Sequence, residues 1–357
     1  MNAGIVSLYG YINYGNRLQS YAVQQVLKQM GIDSEVIYIQ SKCTDIREVA
    51  KRLYFLSPIK AITRPKMRAM LKYKRQISFE QFNKTFIHSH KYSNVHDIEG
   101  FDYYVLGSDQ VWNPKRYNDV KKELFFLRFA NPQQKVCFAP SFGVSELPGQ
   151  WTDYFRENLM TFPHLSVREY AGARIIKELT GRDSEVLIDP TLMIDANDWR
   201  IIAKKPRSVN TDCNYILNYF IGERPEKAKL NAENLCRQHN FTNYDLFDVD
   251  NEGLYTADPS EFLYLIDHAS IVQTDSFHAC VFAFLFGKPF LLYAREGKDA
   301  DMLSRIETLF LNFDLMRKFV GSGLENDMFE CNYESGYSKL TQEREKVYSF
   351  LKRSMNI

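Results

Sequence analysis

Nowhere in the 357 residues does an apolar run reach the ~18 positions that a membrane-spanning helix requires, so no spanning segment is expected. The opening MNAGIVSLYG has neither the charged start nor the long apolar stretch of a secretory signal, which leads us to expect a cytoplasmic protein. Cysteines are few and scattered. The six, at 43, 137, 213, 236, 280 and 331, form no CxxC pair, and in a chain this long they read as reduced thiols. No HExxH segment and no Cys/His cluster is present, so no metal is expected. A surplus of one charge is also missing, with 45 Lys+Arg against 44 Asp+Glu. A general nucleic-acid binder would show a basic excess, so nucleic acid is not expected as a partner.

What is present is a βα alternation. Apolar residues make up 45% of the chain, enough for two domains with a core each. Residues 3–9 read as a buried strand, 10–16 as a loop, 17–30 as a helix by the spacing of Leu18, Tyr21, Ala22, Val26, Leu27 and Met30, and 35–39 as the next strand. Later strands are predicted at 102–106, 135–139, 163–167 and 185–188. A second series follows at 214–220, 244–247, 270–273 and 289–293. Between them, 259–267 has a marked helix start: Asp258 to cap it, Pro259 in its first position and Glu261 to complete a capping box. Residues 315–337 are irregular and 338–353 read as a last helix. The fold class is therefore α/β.

One tract breaks the even charge. Residues 49–79 carry Lys51, Arg52, Lys60, Arg64, Lys66, Arg68, Lys72, Lys74 and Arg75 and no acid, with Tyr54, Phe55 and Tyr73 interleaved. A solvated helical face is one reading, and a surface for anionic lipid or lipid diphosphate is the other.

In open α/β sheets, ligands bind beyond the carboxyl ends of the strands. Polar clusters fall at those positions in both series: Asn16 and Arg17; Ser108, Asp109 and Gln110, with Trp112 close behind; Ser141 to Gly143; Arg168 and Glu169; Asp275, Ser276 and His278; Arg295 and Lys298. Spread over two domains, they suggest a cleft between them. Each also has a plain structural reading. Asp275 or Ser276 can cap the following helix, His278 can be a satisfied buried histidine, Arg168 can pair with a neighbour, Asp109 can cap its own loop, and Trp112 can be core.

The segments GNRLQSYA (15–22), FDYYVLGSDQVWNP (101–114), SFG (141–143), SVRE (166–169), DPTLMID (189–195) and TDSFHACVFAFLFGKPF (274–290) resemble, collinearly, the polysaccharide pyruvyltransferase family. The resemblance implies two Rossmann-like domains facing across a cleft in a GT-B-like arrangement. They would be 1–196 on the acceptor side and 197–337 on the donor side, with 338–357 packing back toward the first. It implies transfer of a pyruvyl group from phosphoenolpyruvate, with no further cofactor, to a sugar of a surface or capsular glycan, usually as a cyclic ketal. It carries the family's histidine onto His278 and its arginine onto Arg168. A second cation falls on Lys298 or Arg295, since AREGK offers both.

Residue chemistry adds Ser276 to the donor side, and Asp275 as the carboxylate that orients the His278 ring. Asn16, Arg17, Asp109, Gln110 and Trp112 are expected to hold the acceptor, which can be lipid-linked and so place the protein at the inner membrane face through 49–79. Arg168 comes from the first domain and His278 and Lys298 from the second, so closure of the cleft is expected to be needed to bring all three to one ligand. The rival readings are a GT-B glycosyltransferase using a nucleotide sugar, for which no nucleoside motif is evident, and a non-catalytic glycan-binding protein of the same fold.

Overall fold

In the computed structural model, residues 1–9, 12–39, 64–295, 303–324 and 327–357 are described. The first strands are β1 (Asn2–Val6), β2 (Asp33–Ile39), β3 (Ser89–Tyr92), β4 (Tyr103–Leu106) and β5 (Lys135–Cys137). They form a parallel sheet in the order β3-β2-β1-β4-β5. The pattern NAGIV suits the centre, where both faces are covered and an unbroken apolar run is needed. Helix α1 (Tyr14–Gln29) crosses from β1 to β2 in line with the apolar periodicity, starting three residues earlier because Asn13 accepts from the Asn16 N–H at the N-cap. A further pair, β6 (Ser166–Val167) and β7 (Glu185–Val186), continues the layer. Ser166 joins it to the segment after β5 through its hydroxyl, which donates to Cys137 O at 2.6 Å and accepts from the Ala139 N–H at 3.0 Å.

The second half builds another parallel sheet from β8 (Tyr215–Tyr219), β9 (Thr242–Asp245), β10 (Ile271–Thr274) and β11 (Phe290–Leu292), in the order β11-β10-β8-β9. The helix Pro259–His268 has the expected capping box, with Asp258 and Glu261 each accepting the other's backbone N–H. Both sheets reverse direction of winding once. In the first the switch falls between β1 and β4, and in the second between β8 and β10. These are the places where a doubly wound sheet opens a crevice at its carboxyl ends.

One hydrophobic core runs through both halves, from Ala3 and Ile5 to Phe262, Val272 and Phe350. Three elements sew it together. Tyr14 at the start of α1 stacks on Phe262 at 4.2 Å and donates to Ala257 O at 3.0 Å. Helix α2 (Arg64–Phe86) sends Arg75 across, where its guanidinium lies over Tyr14, Phe79, Phe247 and Tyr255 and donates to Tyr255 O at 2.7 Å. The last helix, Glu334–Ser354, begins beside Phe284 of the second half through the Tyr337 hydroxyl, which donates to Phe284 O at 2.9 Å. It ends on the first half, where Lys346 donates to Val186 O at 2.6 Å and Arg344 to Leu192 O at 2.7 Å.

The basic tract is only partly within the described residues, since 49–63 lie outside them. In its second part, Arg75 is buried in the contact just described and Lys74 pairs with Glu252 at 2.6 Å, so neither charge faces outward unpartnered. Arg68 and Lys72 are exposed. Among the described residues no helix is long and apolar enough to cross a membrane, and no His/Cys/Asp/Glu group could hold a metal ion.

Candidate active site

A cleft of about 650 Å³ opens where the carboxyl ends of the two sheets face each other. Its walls include Asn16, Asp109, Gln110 and Arg116 from the first half, and Asp275, Ser276, His278, Tyr293, Arg295 and Arg305 from the second.

Each switch point carries a carboxylate held by the backbone or side chains around it. After β4, Asp109 sits at φ 65°, in the left-handed region that a side chain rarely adopts. Its carboxylate accepts from the Gln110 N–H at 2.8 Å, from the Asn16 amide across the switch, and from Arg168 at 3.2 Å. After β10, Asp275 accepts from the Ile221 and Gly222 N–H groups at 2.7 and 2.8 Å, which again spans the switch, and from Arg295 Nε at 2.9 Å.

His278 stands in the first turn of α3 (Phe277–Leu285), 7% exposed. Its Nε2 lies 3.7 Å from Oδ2 of Asp189. Its Nδ1 faces the first turn of α1, where Gly15 leaves room for it: a Cβ on Gly15 would collide with Nδ1. The glycine is there because helix backbone and imidazole must approach this closely. Asp189 is fully buried and also accepts from Arg168 and from the Thr191 hydroxyl at 2.6 Å. Burial alone would raise its pKa, but the Arg168 charge, followed by the His278 contact, holds it well below the usual carboxylate range. Asp109 is depressed in the same way: burial pushes it up, and the charges of Arg168, then His278 and Arg305, outweigh burial. Arg168 is raised, since burial is outweighed by Asp189, Asp109 and Glu169.

His278, Ser276, Arg295, Asn16, Asp109 and Gln110, all expected at the site, line the one cleft. Asp275 lines it too, but the expectation that it orients the His278 ring is corrected: its oxygens are taken by Ile221, Gly222 and Arg295, and the carboxylate beside the imidazole is that of Asp189. Ser276 occupies the N-cap position of α3, though its side chain makes no capping bond. Arg168 does not reach the cleft. Its side chain is 2% exposed, lies under the Phe277 ring at 4.7 Å, and is committed to Asp189 and Asp109. The expectation that it grips a ligand directly is corrected accordingly. The arginine that lines the cleft near Asp109 is Arg305, 3.6 Å from the Asp109 carboxylate. Burial, then repulsion by Arg168, lowers Arg305 to about 10.

Trp112 is corrected from sugar platform to core: it is fully buried, donates to Phe125 O at 3.1 Å and packs against Phe126, Phe142 and Phe162. Arg17 is turned away from the cleft into a second pocket. Lys298 lies outside the described residues.

Asp189 and His278, from the two halves, meet directly beside the continuous core, whereas the expected closure onto Lys298 concerns a residue outside the described ones. Sequence reasoning passed over Asp189, although DPT follows a predicted strand, and it passed over Arg116 and Arg305, which no motif marks. Gln110 positions Arg116 by accepting from it at 3.1 Å. Glu169, buried behind the cleft, accepts from the Ser141 hydroxyl at 3.0 Å and from the Phe142 and Gly143 N–H groups at 2.8 and 3.2 Å, and so fixes the SFG loop.

The family profile described as Polysaccharide pyruvyl transferase matches residues 13–297, which include every cleft residue named above except Arg305. The chain belongs to that family. A comparison with curated proteins finds no match. Among solved structures, the UDP-GlcNAc 2-epimerase of Neisseria meningitidis bound to UDP-GlcNAc is similar at 12% identity and TM-score 0.48, over 99% of this chain and 100% of that one. A glycosyltransferase of Rickettsia africae is similar at 13% identity and TM-score 0.41, over 98% of each chain. Two Rossmann-like halves facing across a cleft make the fold GT-B-like.

Proposed function

We propose that the protein transfers a pyruvyl group from phosphoenolpyruvate to two hydroxyls of a sugar in a surface or capsular glycan. The observation that carries this reading is the position of His278. It is set into a cleft wall against a buried, ionised carboxylate, and it faces a space lined by Arg116, Arg295 and Arg305. Against these three cations the lining holds Asp109 and Asp275, so the cleft favours a small, multiply charged anion.

In the reaction, His278 as imidazolium gives its proton to the methylene carbon of the donor. The adjacent carbon is then attacked by a sugar hydroxyl, whose proton returns to the imidazole. A second hydroxyl displaces phosphate, which departs with that hydroxyl's proton, and closes the ketal. Imidazole chemistry suits a step in which a proton is given and recovered at each turnover near neutral pH. Asp189 faces the ring and balances its charge while the proton is held. Arg295 and Arg305 hold the phosphate and carboxylate of the donor, while Asn16, Asp109 and Gln110 meet the sugar hydroxyls. In this reading 1–196 carries the acceptor side and 197–337 the donor side.

The test is to incubate the protein with phosphoenolpyruvate and a panel of lipid-linked and free sugars, following phosphate release and product mass. Release of phosphate with a product heavier by one pyruvyl unit supports the reading. A wild-type protein that binds no phosphoenolpyruvate sinks it. Contact with an anionic membrane through exposed Arg68 and Lys72 is part of the same proposal. It requires salt-sensitive binding to vesicles containing acidic lipid, and no binding at low salt removes it.

A further inference from the structure

The second pocket lies on the other flank of the first turn of α1, where Arg17 follows Asn16. It measures about 900 Å³ and is lined by Tyr9, Arg17, Tyr38, Asn83 and Lys84, among others. Arg17 is 3% exposed, and among the described residues its Nε and Nη1 donate to no acceptor. No carboxylate among the described residues pairs with it, although Glu80 lines the same pocket and is held by Gln76 at 2.8 Å. Its guanidinium stacks on Tyr9 at 4.9 Å, and Tyr9 in turn stacks on Tyr38 at 4.7 Å. Asn83, in the same lining, is 8% exposed, and among the described residues its Oδ1 accepts no hydrogen bond. Burial lowers Arg17 to about 10, more than the opposing pull of Tyr9 and Glu80 makes up.

A buried arginine with idle N–H groups is costly to keep. Here it is accompanied by an idle acceptor and an aromatic pair in one pocket. Anion, hydroxyl and ring face are together what a charged sugar offers.

We infer that this pocket binds an anionic sugar group, a phosphate or a carboxylate borne by the acceptor, through Arg17, Asn83 and the Tyr9–Tyr38 pair. That the occupant belongs to the acceptor rests on the transferase reading above; that the pocket takes an anionic sugar does not. The acceptor then runs across the first turn of α1, with its charged part at Arg17 and its reacting hydroxyls at Asn16 and Asp109.

The experiment is calorimetric titration of the full-length protein, with phosphoenolpyruvate present in excess to occupy the first cleft. The probes are glucose 1-phosphate, glucuronate and neutral methyl glucoside. We expect at least one anionic probe to bind, and methyl glucoside to bind at least about tenfold more weakly. The tighter of the two anions identifies the source of the charge. Arg17→Met should weaken the anion by about 10- to 100-fold, as loss of a charged hydrogen bond does, and leave phosphoenolpyruvate affinity unchanged. Arg17→Lys should recover part of it. The melting temperature of Arg17→Met should not fall, because a residue kept for a ligand contributes nothing to the fold by its charge. Asn83→Leu serves as the second variant, with a smaller loss.

The inference is overturned if neither anion binds, if Arg17→Met binds them as the wild type does, or if that variant loses phosphoenolpyruvate in parallel. Arg295→Met reads the donor separately. A wild type that ignores phosphoenolpyruvate but binds glucuronate through Arg17 would end the donor assignment and keep the pocket.

Discussion

His278 and Asp189 come from different halves of the chain and meet with Nε2 3.7 Å from Oδ2, the carboxylate being fully buried and pinned by Arg168 and Thr191. One side-chain contact therefore couples the β10–α3 turn of the second half to the segment after β7 in the first.

His278→Gln should lower kcat by about 10²–10⁴-fold with little change in phosphoenolpyruvate affinity, since glutamine keeps the shape and loses the proton. Asp189→Asn should lower kcat and move the acidic and basic limbs of the pH–rate profile, whereas a residue serving only the fold would lower yield without moving them. Near-normal turnover by His278→Gln refutes the mechanism.

The same carboxylate predicts how stability responds to acid. Asp189 and Asp109 are both depressed in the folded protein. Below about pH 4 the unfolded chain takes up protons at these positions and the folded chain does not. They therefore stabilise the fold above that range, and the stabilisation is lost as pH falls toward their folded values. Urea melts of Asp189→Asn between about pH 5 and pH 3 should show a flatter decline than the wild type. Equal slopes would mean that the carboxylate titrates normally.

Gly15→Ala tests the approach of α1 to the imidazole. The added methyl would overlap Nδ1 of His278 and must push the ring aside. A displacement of about 1 Å at a reacting group can cost roughly 10² in rate, so kcat should fall while the circular dichroism spectrum and melting temperature stay close to wild type. Wild-type kinetics would show that the ring has room to retreat.

Arg75 and Trp112 are predicted to act on stability alone. Arg75→Met leaves Leu246 O and Tyr255 O without their donor and removes a cation from four ring faces. A loss of about 2–4 kcal/mol in urea unfolding is expected. Trp112→Ala empties a core site and should cost about 3–5 kcal/mol. The folded fraction should keep its acceptor KM. A selective rise in that KM would restore Trp112 as a sugar contact.

Much of the architecture was legible because its causes are local. The strand runs, the start of the helix Pro259–His268 and the polar residues at strand ends follow from periodicity, capping and turn chemistry within a few positions. The sequence therefore determined that two βα series would present His278, Asp275, Arg295, Asn16 and Asp109 at carboxyl ends.

Which of those groups touch was decided only by tertiary structure. Asp275 precedes His278 by three residues, yet its carboxylate turns to the β8 loop across the switch point, while the partner of the imidazole lies 89 positions earlier in the chain. Arg168 and Trp112 follow strands, where a ligand contact and a structural role both fit, and packing decided for the structural role: Trp112 is enclosed by the first half's own apolar cluster and Arg168 by Asp189, Asp109 and Phe277, while Arg305 lines the cleft. Side chains one residue apart on a helix, such as Asn16 and Arg17, diverge by about 100°, which sends one into the cleft and the other into a separate pocket. Sequence specifies the order of groups along each element. The packing of one half on the other selects which of them share a space.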